Sequence, residues 1–382
     1  MALATADLAA SFDETARRLD LSPVLSAILL NDTAFLGLIG MGEQMLDTDH
    51  RWNEDSLNAP QVTGAEAMDA SETGLDVSSG HGARCRVGAL LMDIAAGKSE
   101  ILQVTAISTD TLTVVRGYGS SSGEEHADAA VYHIIGSPVQ EGDETITDKS
   151  KARSQKTQYP SIFKETVKIS GTREAVTGNG IHPGVASEVK HQVMRRLDEM
   201  KVQMNMSALF SVISGDAGSD TSYRSMKGLR EYLTAANGNN VSTAEALSEG
   251  VLNQMVRDSW DDGGNPKDLV GHAEQLTRAS AFNAARLRVA PSDRVAGTFV
   301  SKFLSSLGIE LTFTVDRWFR KDEVALITKE LVWFAPLKGR TLTMEPLARI
   351  GDAHRWQLLA EGGLICKNAL EGHAYHTNLV VG

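Results

Sequence analysis

Apolar residues recur every three or four positions between residues 184 and 214, which places them on one face of a helix. Pro183 precedes the segment and Gly215 follows it, as expected at the two ends of a helix. At about 1.5 Å per residue, such a helix is a rod of roughly 40 Å. The apolar stripe consists of Val185, Val189, Val193, Leu197, Met200, Met204, Ala208 and Val212. The pattern predicts one long helix over 184–214.

A period of two replaces the helical period between about residues 75 and 137. The segments ILQVTAIS and TLTVVRG alternate apolar and polar residues, and Thr109 and Asp110 join them. Two alternating segments joined by a two-residue turn are typical of a β-hairpin. VYHIIG supplies a further strand, so this block is predicted to be a small β module.

Both periods occur in the rest of the chain. Residues 6–20 predict a short amphipathic helix, and residues 160–180 a strand followed by a turn or short helix. Ser242 and Glu245 have the spacing of a capping box and predict the start of a helix. A strand near 268–272, a helix near 274–286 and a tail of strands follow, the tail being IELTFTV, EVALITK, LVWFAPL, WQLLAEGGLICKN and HTNLVV. The mixture indicates an α+β protein.

Composition narrows the functional class. The chain has 382 residues, of which 42% are hydrophobic and 23% charged, so it can form two or three ordinary globular domains. There are 37 Lys and Arg against 49 Asp and Glu, a net charge of −12. Because phosphate binding depends on clustered cations, this charge argues against a dedicated nucleic-acid binder. A protein that merely encloses nucleic acid stays compatible with it.

The two cysteines and the N-terminus suggest the compartment. Cys85 and Cys366 are far apart and form no CxxC motif, so buried free thiols are expected rather than a disulfide framework. The first twenty residues lack the basic start and long apolar core of a signal peptide, and no apolar run is long enough to span a membrane. We expect assembly in the cytoplasm.

The stretch VVRGYGSSSGEEHA, residues 114–127, resembles a phosphate-binding loop because Gly117, Gly119 and Gly123 follow an apolar strand. The third glycine is one position late for a dinucleotide-binding loop, and Glu124 and Glu125 stand where a phosphate loop needs Lys and Ser or Thr. The next residues lead into a strand, so the helix N-terminus that binds the anion is missing. We interpret the segment as a hairpin loop.

Other chemistry-bearing residues are scattered. His373 and His376 form HxxH, but on a loop running into a strand and without a third ligand nearby, so a metal site is disfavoured. The methionines of the long helix are interpreted as packing residues and the acidic groups as surface acids. The remaining candidates were His81, His126, His133, His354, Glu54, Asp55, Glu141, Asp143, Glu144, Met194, Met200, Met204 and Met206. We predict no catalytic, cofactor-binding or metal-binding residues.

The order of the segments resembles the major capsid proteins of tailed phages, specifically the SU-ten-like family with the Hong Kong 97 capsid fold. The resemblance begins at LSPVLSAILLNDTAFLGLIG, where Thr33, Ala34 and Phe35 depart from the family's Thr-Pro-Phe type of motif. It covers roughly residues 20–380, and each motif alone is weak while their shared order is specific. The matching segments are HRWNEDSLNAP, EILQVTAIS, TLTVVRGYGSSSGEEHADAA, IIGSPVQEGDE, VKISGTREAVTGNGI, GGNPKDLVG, FTVDRWF, APLKGR and ARIGDAHRWQLLAEGGLICKNALEGHA.

This resemblance implies an α+β capsid fold with five parts. They are an N-terminal arm at 1–60, an extended loop at 61–170 with a β insertion at about 75–137, a peripheral domain at 171–224 with the spine helix at 184–214, an axial domain at 225–335, and C-terminal strands of the peripheral domain at 336–382.

The implied function is that of a major capsid protein, a non-enzymatic subunit that self-assembles through pentamers and hexamers into an icosahedral shell around DNA. The implied partners are portal and scaffolding proteins, a cement protein, and double-stranded DNA held by non-specific contact, with no membrane. Two structural alternatives stay open: a decoration or tail protein of the virion, and an encapsulin-like cellular shell protein. A nucleotide- or metal-dependent hydrolase is the disfavoured alternative.

Overall fold

A computed structural model describes residues 32–55, 57–142, 144, 150, 153–175, 188–219, 221–235, 238–282, 302–349 and 351–381. The chain divides into two compact units: residues 53–156 form one, and residues 1–52 with 157–382 form the other, called here the larger unit. The α-helices of the described residues all lie in the larger unit: α1 (Ala34–Ile39), α2 (Gly171–Ala175), α3 (Glu188–Phe210), α4 (Leu229–Leu233), α5 (Glu249–Asp261) and α6 (Ala273–Ala281). A short 3-10 helix, Gly82–Arg84, lies in the other unit.

The strands form four sheets. In chain order they are β1 (His50–Glu54), β2 (Gln61–Thr63), β3 (Gly74–Asp76), β4 (Leu90–Asp93), β5 (Ile101–Ser108), β6 (Thr111–Val115), β7 (Val131–Gly136), β8 (Ser154–Gln158), β9 (Ser161–Ser170), β10 (Asn240–Val241), β11 (Asp268–Gly271), β12 (Lys302–Leu304), β13 (Glu310–Val315), β14 (Val324–Ile327), β15 (Val332–Pro336), β16 (Thr343–Leu347), β17 (Ala353–Cys366) and β18 (Ala374–His376). The smallest sheet is the pair β1 and β8.

The unit at residues 53–156 contains a six-stranded sheet in the order β2-β7-β4-β5-β6-β3. The ends of this sheet meet, because Ala65 N–H donates to Asp76 O (2.8 Å) and Ser78 N–H donates to Thr63 O (2.9 Å). The sheet therefore closes into a small barrel, which removes the exposed strand edges that favour aggregation. Its interior is apolar and is filled mainly by Val62, Leu75, Leu91, Leu102, Leu112 and Tyr132.

Alternation predicted this unit well. β5 and β6 form the expected hairpin, and Thr109 takes the positive φ of 55° that the tight turn requires. The register shifts between Val104 and Ala106, where a bulge bends β5. VYHIIG is β7, as predicted. The sheet also includes β2, which lies before residue 75.

One sheet of the larger unit is organised by β17. β9 pairs antiparallel with β17 over Ala353–Gly362, while β16 and then β15 pair along the opposite edge of β17. α3 packs on β9, and the buried side chains of Met200 and Met204 join Phe163 in the largest apolar core of the molecule. Burying such side chains stabilises the fold by about 1.5–3 kcal/mol each.

The other sheet of the larger unit has the order β10-β18-β14-β11-β13-β12 and mixes parallel and antiparallel pairs. α5 and α6 cover it with apolar side chains at helical spacing. Leu252 and Val256 of α5 and Leu276 of α6 are fully buried against Leu269 and Leu311 of the sheet. The strands of this layer come from positions as distant as residues 240 and 376.

The long helix is shorter than predicted at its C-terminal end. α3 stops at Phe210, and Val212 lies beyond it with 65% of its surface exposed. The reason is a competing set of backbone bonds, since Ser211 O accepts from Gly228 N–H (2.8 Å) and Ser214 N–H donates to Ser225 O (3.1 Å). Residues 184–187, with Val185, lie outside the described residues, as does the predicted helix at 6–20.

Two further boundaries differ from the sequence expectations. α5 begins at Glu249, and Ser248 caps it by accepting from Val251 N–H (3.3 Å), so the capping box expected from Ser242 and Glu245 is wrong. The last strand is Ala374–His376, which shares only His376 with the predicted strand HTNLVV. In that segment Thr377 N–H donates to Val241 O (2.8 Å) and Val380 N–H to Glu245 O (2.9 Å), so the chain is held by residues 241–245.

Candidate functional site

The glycine-rich loop, residues 116–125, follows β6, and close backbone contacts explain its glycines. Gly117 has a φ of 58°, and a Cβ there would lie 2.9 Å from Ser121 O. A Cβ at Gly123 would lie 2.7 Å from Ala70 O. Both distances are shorter than real Cβ contacts, so any larger residue would push the loop open. The glycines let the loop fold tightly on itself and on its neighbour segment.

The anion that this loop surrounds is a side chain of the protein, the fully buried carboxylate of Glu100. Arg116 donates from Nε to Oε1 (2.8 Å) and from Nη2 to Oε2 (2.7 Å). The N–H groups of Gly117 and Glu124 donate to Oε1 (2.8 Å) and Oε2 (2.7 Å). Backbone donors of the kind that hold a nucleotide phosphate are therefore already occupied by Glu100.

The protonation of Glu100 follows from these contacts. Burial by itself raises the pKa of a carboxyl group, because a low-dielectric surrounding disfavours the charged form. Hydrogen bonds from Arg116, from the two backbone N–H groups and from His126 outweigh burial and lower the pKa of Glu100 to about 2. The same ion pair raises the pKa of Arg116. The carboxylate is ionised at neutral pH and acts as the fixed centre of the loop.

Arg116 also ties a second segment to the loop. Its guanidinium donates to the carbonyl oxygens of Asp69, Glu72 and Glu124 as well as to Glu100. One planar side chain thus satisfies a carboxylate and carbonyl acceptors from two stretches of backbone, which suits the fork geometry of arginine. Substituting lysine would lose most of these bonds.

His126 extends the cluster on the other side of Glu100. Its ring is buried, with Nδ1 2.7 Å from Asp93 Oδ2 and Nε2 3.1 Å from Glu100 Oε2. The ring of Tyr132 meets it edge-on at a centroid distance of 5.3 Å. The sequence had placed His126 among scattered histidines, and the fold instead brings it between two buried carboxylates.

The HxxH pair lies at β18, in the larger unit, and both rings are buried. His373 Nδ1 accepts from Thr328 N–H (3.1 Å), and burial lowers the pKa of His373 to about 4. His376 contacts Thr377 O through Nδ1 (2.8 Å) and Glu245 Oε1 through Nε2 (3.1 Å). The two imidazoles therefore have separate partners, and the predicted loop leading into a strand is confirmed.

The other predicted histidines are apart from one another. His81 accepts from Thr63 N–H through Nδ1 (3.0 Å), and its pKa is lowered by burial and by the charge of Arg84. His133 is exposed on β7, and His354 meets the Trp356 ring at 5.7 Å. No group of three or more His, Cys, Asp or Glu within the described ranges has the arrangement of a metal site.

The acids, cysteines and methionines are placed as follows. Asp55 lies 3.6 Å from Arg153 in an exposed ion pair, and Glu141 and Glu144 are exposed; Asp143 lies outside the described residues. Cys85 and Cys366 are free and buried, as predicted.

Of the four helix methionines, Met200 and Met204 pack in the core, but Met194 and Met206 are exposed, so the packing prediction is wrong for those two. The part of the chain that the structure describes contains no helix able to cross a membrane.

Sequence reasoning missed the buried polar groups that anchor α1. Asp316 Oδ2 accepts from Phe35 N–H (3.0 Å) and from Asn205 Nδ2 (3.0 Å), and Asn205 Oδ1 accepts from Leu36 N–H (3.0 Å). These acceptors cap the first turn of α1, for which Thr33 supplies no side-chain cap. Asp316 is 281 positions from Phe35, so no local pattern could have revealed the pairing.

Two more buried carboxylates were missed for the same reason. Glu361 pairs with Arg224 and with Arg340 Nε (2.9 Å). Glu323 accepts from Arg230 Nε (3.0 Å) and from the Tyr375 hydroxyl (2.6 Å). Each buried carboxylate has at least one cationic partner from a distant segment, Arg224 for Glu361 and Arg230 for Glu323, and this pairing offsets the cost of burying the charge.

Comparisons with known proteins agree on one class. The family model for the SU10 major capsid protein matches residues 6–380. The chain is similar in structure to the capsid asymmetric unit of cyanophage A-1(L), with a TM-score of 0.55 and 10% identity over 95% of this chain and 97% of that one. It is also similar to the capsid of a native GTA particle, with a TM-score of 0.50 and 10% identity over 99% and 100% of the two chains. No curated protein sequence matches. The predicted capsid-type α+β fold is confirmed.

Proposed function

We propose, for a chain that belongs to the SU10 major capsid protein family, that the larger unit forms the wall of the head and that the barrel is an insertion that modifies contacts between subunits. The protein is a major capsid protein, and copies of it assemble into the icosahedral shell of a tailed phage. The observation that carries this function is the family match across residues 6–380.

Within the larger unit, the two sheets support a division into peripheral and axial parts. The sheet of β9 and β15–β17 with α3 fits the peripheral domain, with α3 as the spine helix. The sheet covered by α5 and α6 fits the axial domain at the centre of pentamers and hexamers. Because β18 pairs with β10 and β14, we extend the axial part, predicted at 225–335, to include residues 374–376. Because β15 pairs with β17, we move residues 332–335 to the peripheral part.

The anchoring of α1 supports an N-terminal arm. Phe35 is fully buried, and Met45 packs below Trp333 where residues 41–45 run beside β15. Gly42 N–H donates to Phe334 O (3.0 Å), and a Cβ at Gly42 would lie 2.2 Å from the Trp333 ring. Residues 34–45 are thus firmly attached to the larger unit, and we propose that the N-terminal arm at 1–60 reaches neighbouring subunits from this attachment.

Exposed apolar side chains support contacts with further copies. Tyr223 and Leu57 are 98% and 94% exposed. Large side chains of this kind act as anchors when a partner buries them, and a subunit in a closed shell has partners on every side. We propose Tyr223, in the loop that follows α3, as such an anchor.

The charge distribution supports loose contact with DNA. Residues 53–156 contain sixteen Asp and Glu against eight Lys and Arg, a net charge of −8, whereas the larger unit, residues 1–52 with 157–382, contains 33 Asp and Glu against 29 Lys and Arg, a net charge of −4. Phosphate repels the acidic barrel most, so the larger unit is the part that can line a DNA-filled interior with least repulsion. Non-specific contact without tight binding follows from this near-neutral balance.

The remaining roles rest on the family. We propose that the chain assembles in the host cytoplasm with portal and scaffolding proteins, that a cement protein binds the finished shell, and that the chain has no catalytic activity. Occupation of the glycine-rich loop by Glu100 supports the last point, since a nucleotide would have to displace a buried ion pair. ATP, GTP and NAD should therefore cause no thermal shift. A saturable shift that Gly119→Val abolishes would contradict this.

Assembly is tested by expressing the chain with and without the assembly proteins of its phage. Light scattering after size exclusion and negative-stain imaging should detect pentamers, hexamers or closed shells. Tyr223→Ser should lower the yield of particles without changing the melting temperature, because the side chain is exposed in the single chain. A monomer under all conditions would contradict self-assembly.

A further inference from the structure

The contacts of the His126 ring determine which of its two nitrogens carry hydrogen. Both ring nitrogens lie at hydrogen-bond distance from carboxylate oxygens, 2.7 Å for Asp93 and 3.1 Å for Glu100. An ionised carboxylate only accepts hydrogen bonds, so each nitrogen must donate. An imidazole with two N–H groups is the cation.

The charges around the ring balance only in that state. Glu100 is neutralised by Arg116, at 2.7 Å. Asp93 is buried, its Oδ1 accepts from Ala95 N–H (2.9 Å), and within the described residues His126 is its only ion-pair partner. A neutral His126 would leave Asp93 as a buried carboxylate without a cation, which is a costly arrangement.

The groups facing His126 come from four places in the barrel. Asp93 at the end of β4, Glu100 before β5 and Tyr132 on β7 contact the ring, and Arg116 after β6 pairs with Glu100. Burial, followed by the charge of Asp93, raises the pKa of Tyr132, so its hydroxyl stays protonated over the range in which an imidazolium releases its proton.

We propose that His126 is held as the imidazolium between Asp93 and Glu100 and that this proton locks the glycine-rich loop onto the barrel. Loss of either ring proton turns a nitrogen lone pair toward one of the two carboxylates and leaves Asp93 without a cationic partner. The backbone N–H of His126 donates to the backbone oxygen of Met68 (2.8 Å). Movement of His126 would therefore release the glycine-rich loop and residues 68–70 together. The barrel therefore contains a proton-operated latch.

The protonation state is tested on the full-length chain, with labelled histidine, by solid-state NMR of sedimented subunits or shells. The proposal predicts that both ring nitrogens of His126 carry hydrogen at neutral pH. A ring with one bare nitrogen, with the proton on Asp93 or absent, would overturn it. His133, which is exposed on β7, serves as the internal reference for a solvent-accessible ring.

The latch is tested by hydrogen exchange of the peptides covering residues 116–126. In the wild type, exchange should accelerate by about tenfold or more from neutral to alkaline pH after correction for intrinsic rates, the loss expected for one charged hydrogen bond. His126→Gln should exchange fast at every pH, and His133→Gln should behave like the wild type.

Asp93→Asn separates the latch from a merely structural role. Asparagine can donate to a neutral Nδ1, so this variant should keep the loop protected at neutral pH and abolish the alkaline acceleration. If Asp93→Asn retains the acceleration, or if wild-type protection does not change with pH, the latch proposal is wrong. This outcome would leave the capsid function untouched.

Discussion

The barrel and the larger unit hold their buried charges by contacts of very different sequence range. In the barrel, Glu100 meets Arg116 16 positions away and His126 26 positions away. In the larger unit, Asp316 meets Phe35 across 281 positions and Arg224 meets Glu361 across 137. The barrel can therefore fold from its own neighbourhood, whereas the larger unit must bring distant segments together before its charges are paired.

This contrast assigns different roles to the two units. A locally closed barrel with no free edge is a self-contained insertion, and its polar cluster orders one loop. The larger unit joins an N-terminal segment, a central helix and C-terminal strands in one core, so damage at any of them spreads to the whole. The following changes test this difference, beginning with the largest effect.

Replacing residues 61–136 with a short Gly/Ser linker should leave the larger unit folded but prevent normal shells. The ends of the replaced segment are close, since Ile134 N–H donates to Pro60 O (2.9 Å), so a short linker can span them. Circular dichroism and size exclusion report folding, and negative-stain imaging reports shells. Loss of all soluble protein would show that the barrel is part of the main folding unit.

Phe35→Ala should destabilise the larger unit by about 3–5 kcal/mol, because it removes a fully buried aromatic ring from the main core. Exchange protection should fall throughout the larger unit and stay unchanged in the barrel. Met41→Ala, on the same segment but exposed, is the matched control and should cost less than about 0.5 kcal/mol. Equal losses in both units would contradict their independence.

Glu100→Gln should destabilise the barrel and leave the larger unit unchanged. The substitution keeps the shape but leaves Arg116 facing a neutral group, and breaking a buried ion pair costs about 3–5 kcal/mol. Exchange of residues 61–136 should rise while the larger unit stays protected. Glu125→Gln, on the exposed part of the same loop, should change little. A loss of protection in the larger unit would show that the two units fold together.

Acid should also distinguish the units. The pKa of Glu100 is lowered, so its stabilising charge is fully present above its ordinary value of 4.5 and is lost as pH falls toward about 2. The pKa of His373 is lowered as well, and since its buried form is neutral, stability is lost earlier, as pH falls from 6.5 toward about 4. In Glu100→Gln, the free energy of unfolding should depend less on pH between 4.5 and about 2 than in the wild type. In His373→Gln, it should depend less on pH between 6.5 and about 4. An unchanged pH dependence in either variant would contradict its assignment.

Local sequence patterns predicted the parts whose contacts are local. The hairpin of β5 and β6, the strand β7 and most of α3 follow from periodicity alone, because each element buries its own apolar face. The end of α3 was missed because Gly228 competes for Ser211 O, and the start of α5 because Ser248, not Ser242, supplies the cap. The Glu100 cluster was missed because Glu100, Arg116 and His126 look like isolated polar residues in the sequence and come together only when the barrel folds. The five-part division of the chain stays a prediction.

The last comparison concerns α3, whose apolar stripe changes from partly buried at Val193 to fully buried at Met200. Val193 is only partly buried, so Val193→Asp should cost about 1–2 kcal/mol, less than expected for a core position, because the carboxylate can reach water. Met200→Asp, at a fully buried position of the same stripe, should cost several kcal/mol and give aggregated protein. Lys190→Ala, on the exposed face, should cost about 0.5 kcal/mol or less. Thermal melting ranks the three variants, and negative-stain imaging scores their shells. If Val193→Asp folds but forms no shells, the N-terminal half of this stripe is covered by a neighbouring subunit; if all three variants melt alike, α3 does not pack on β9 as described.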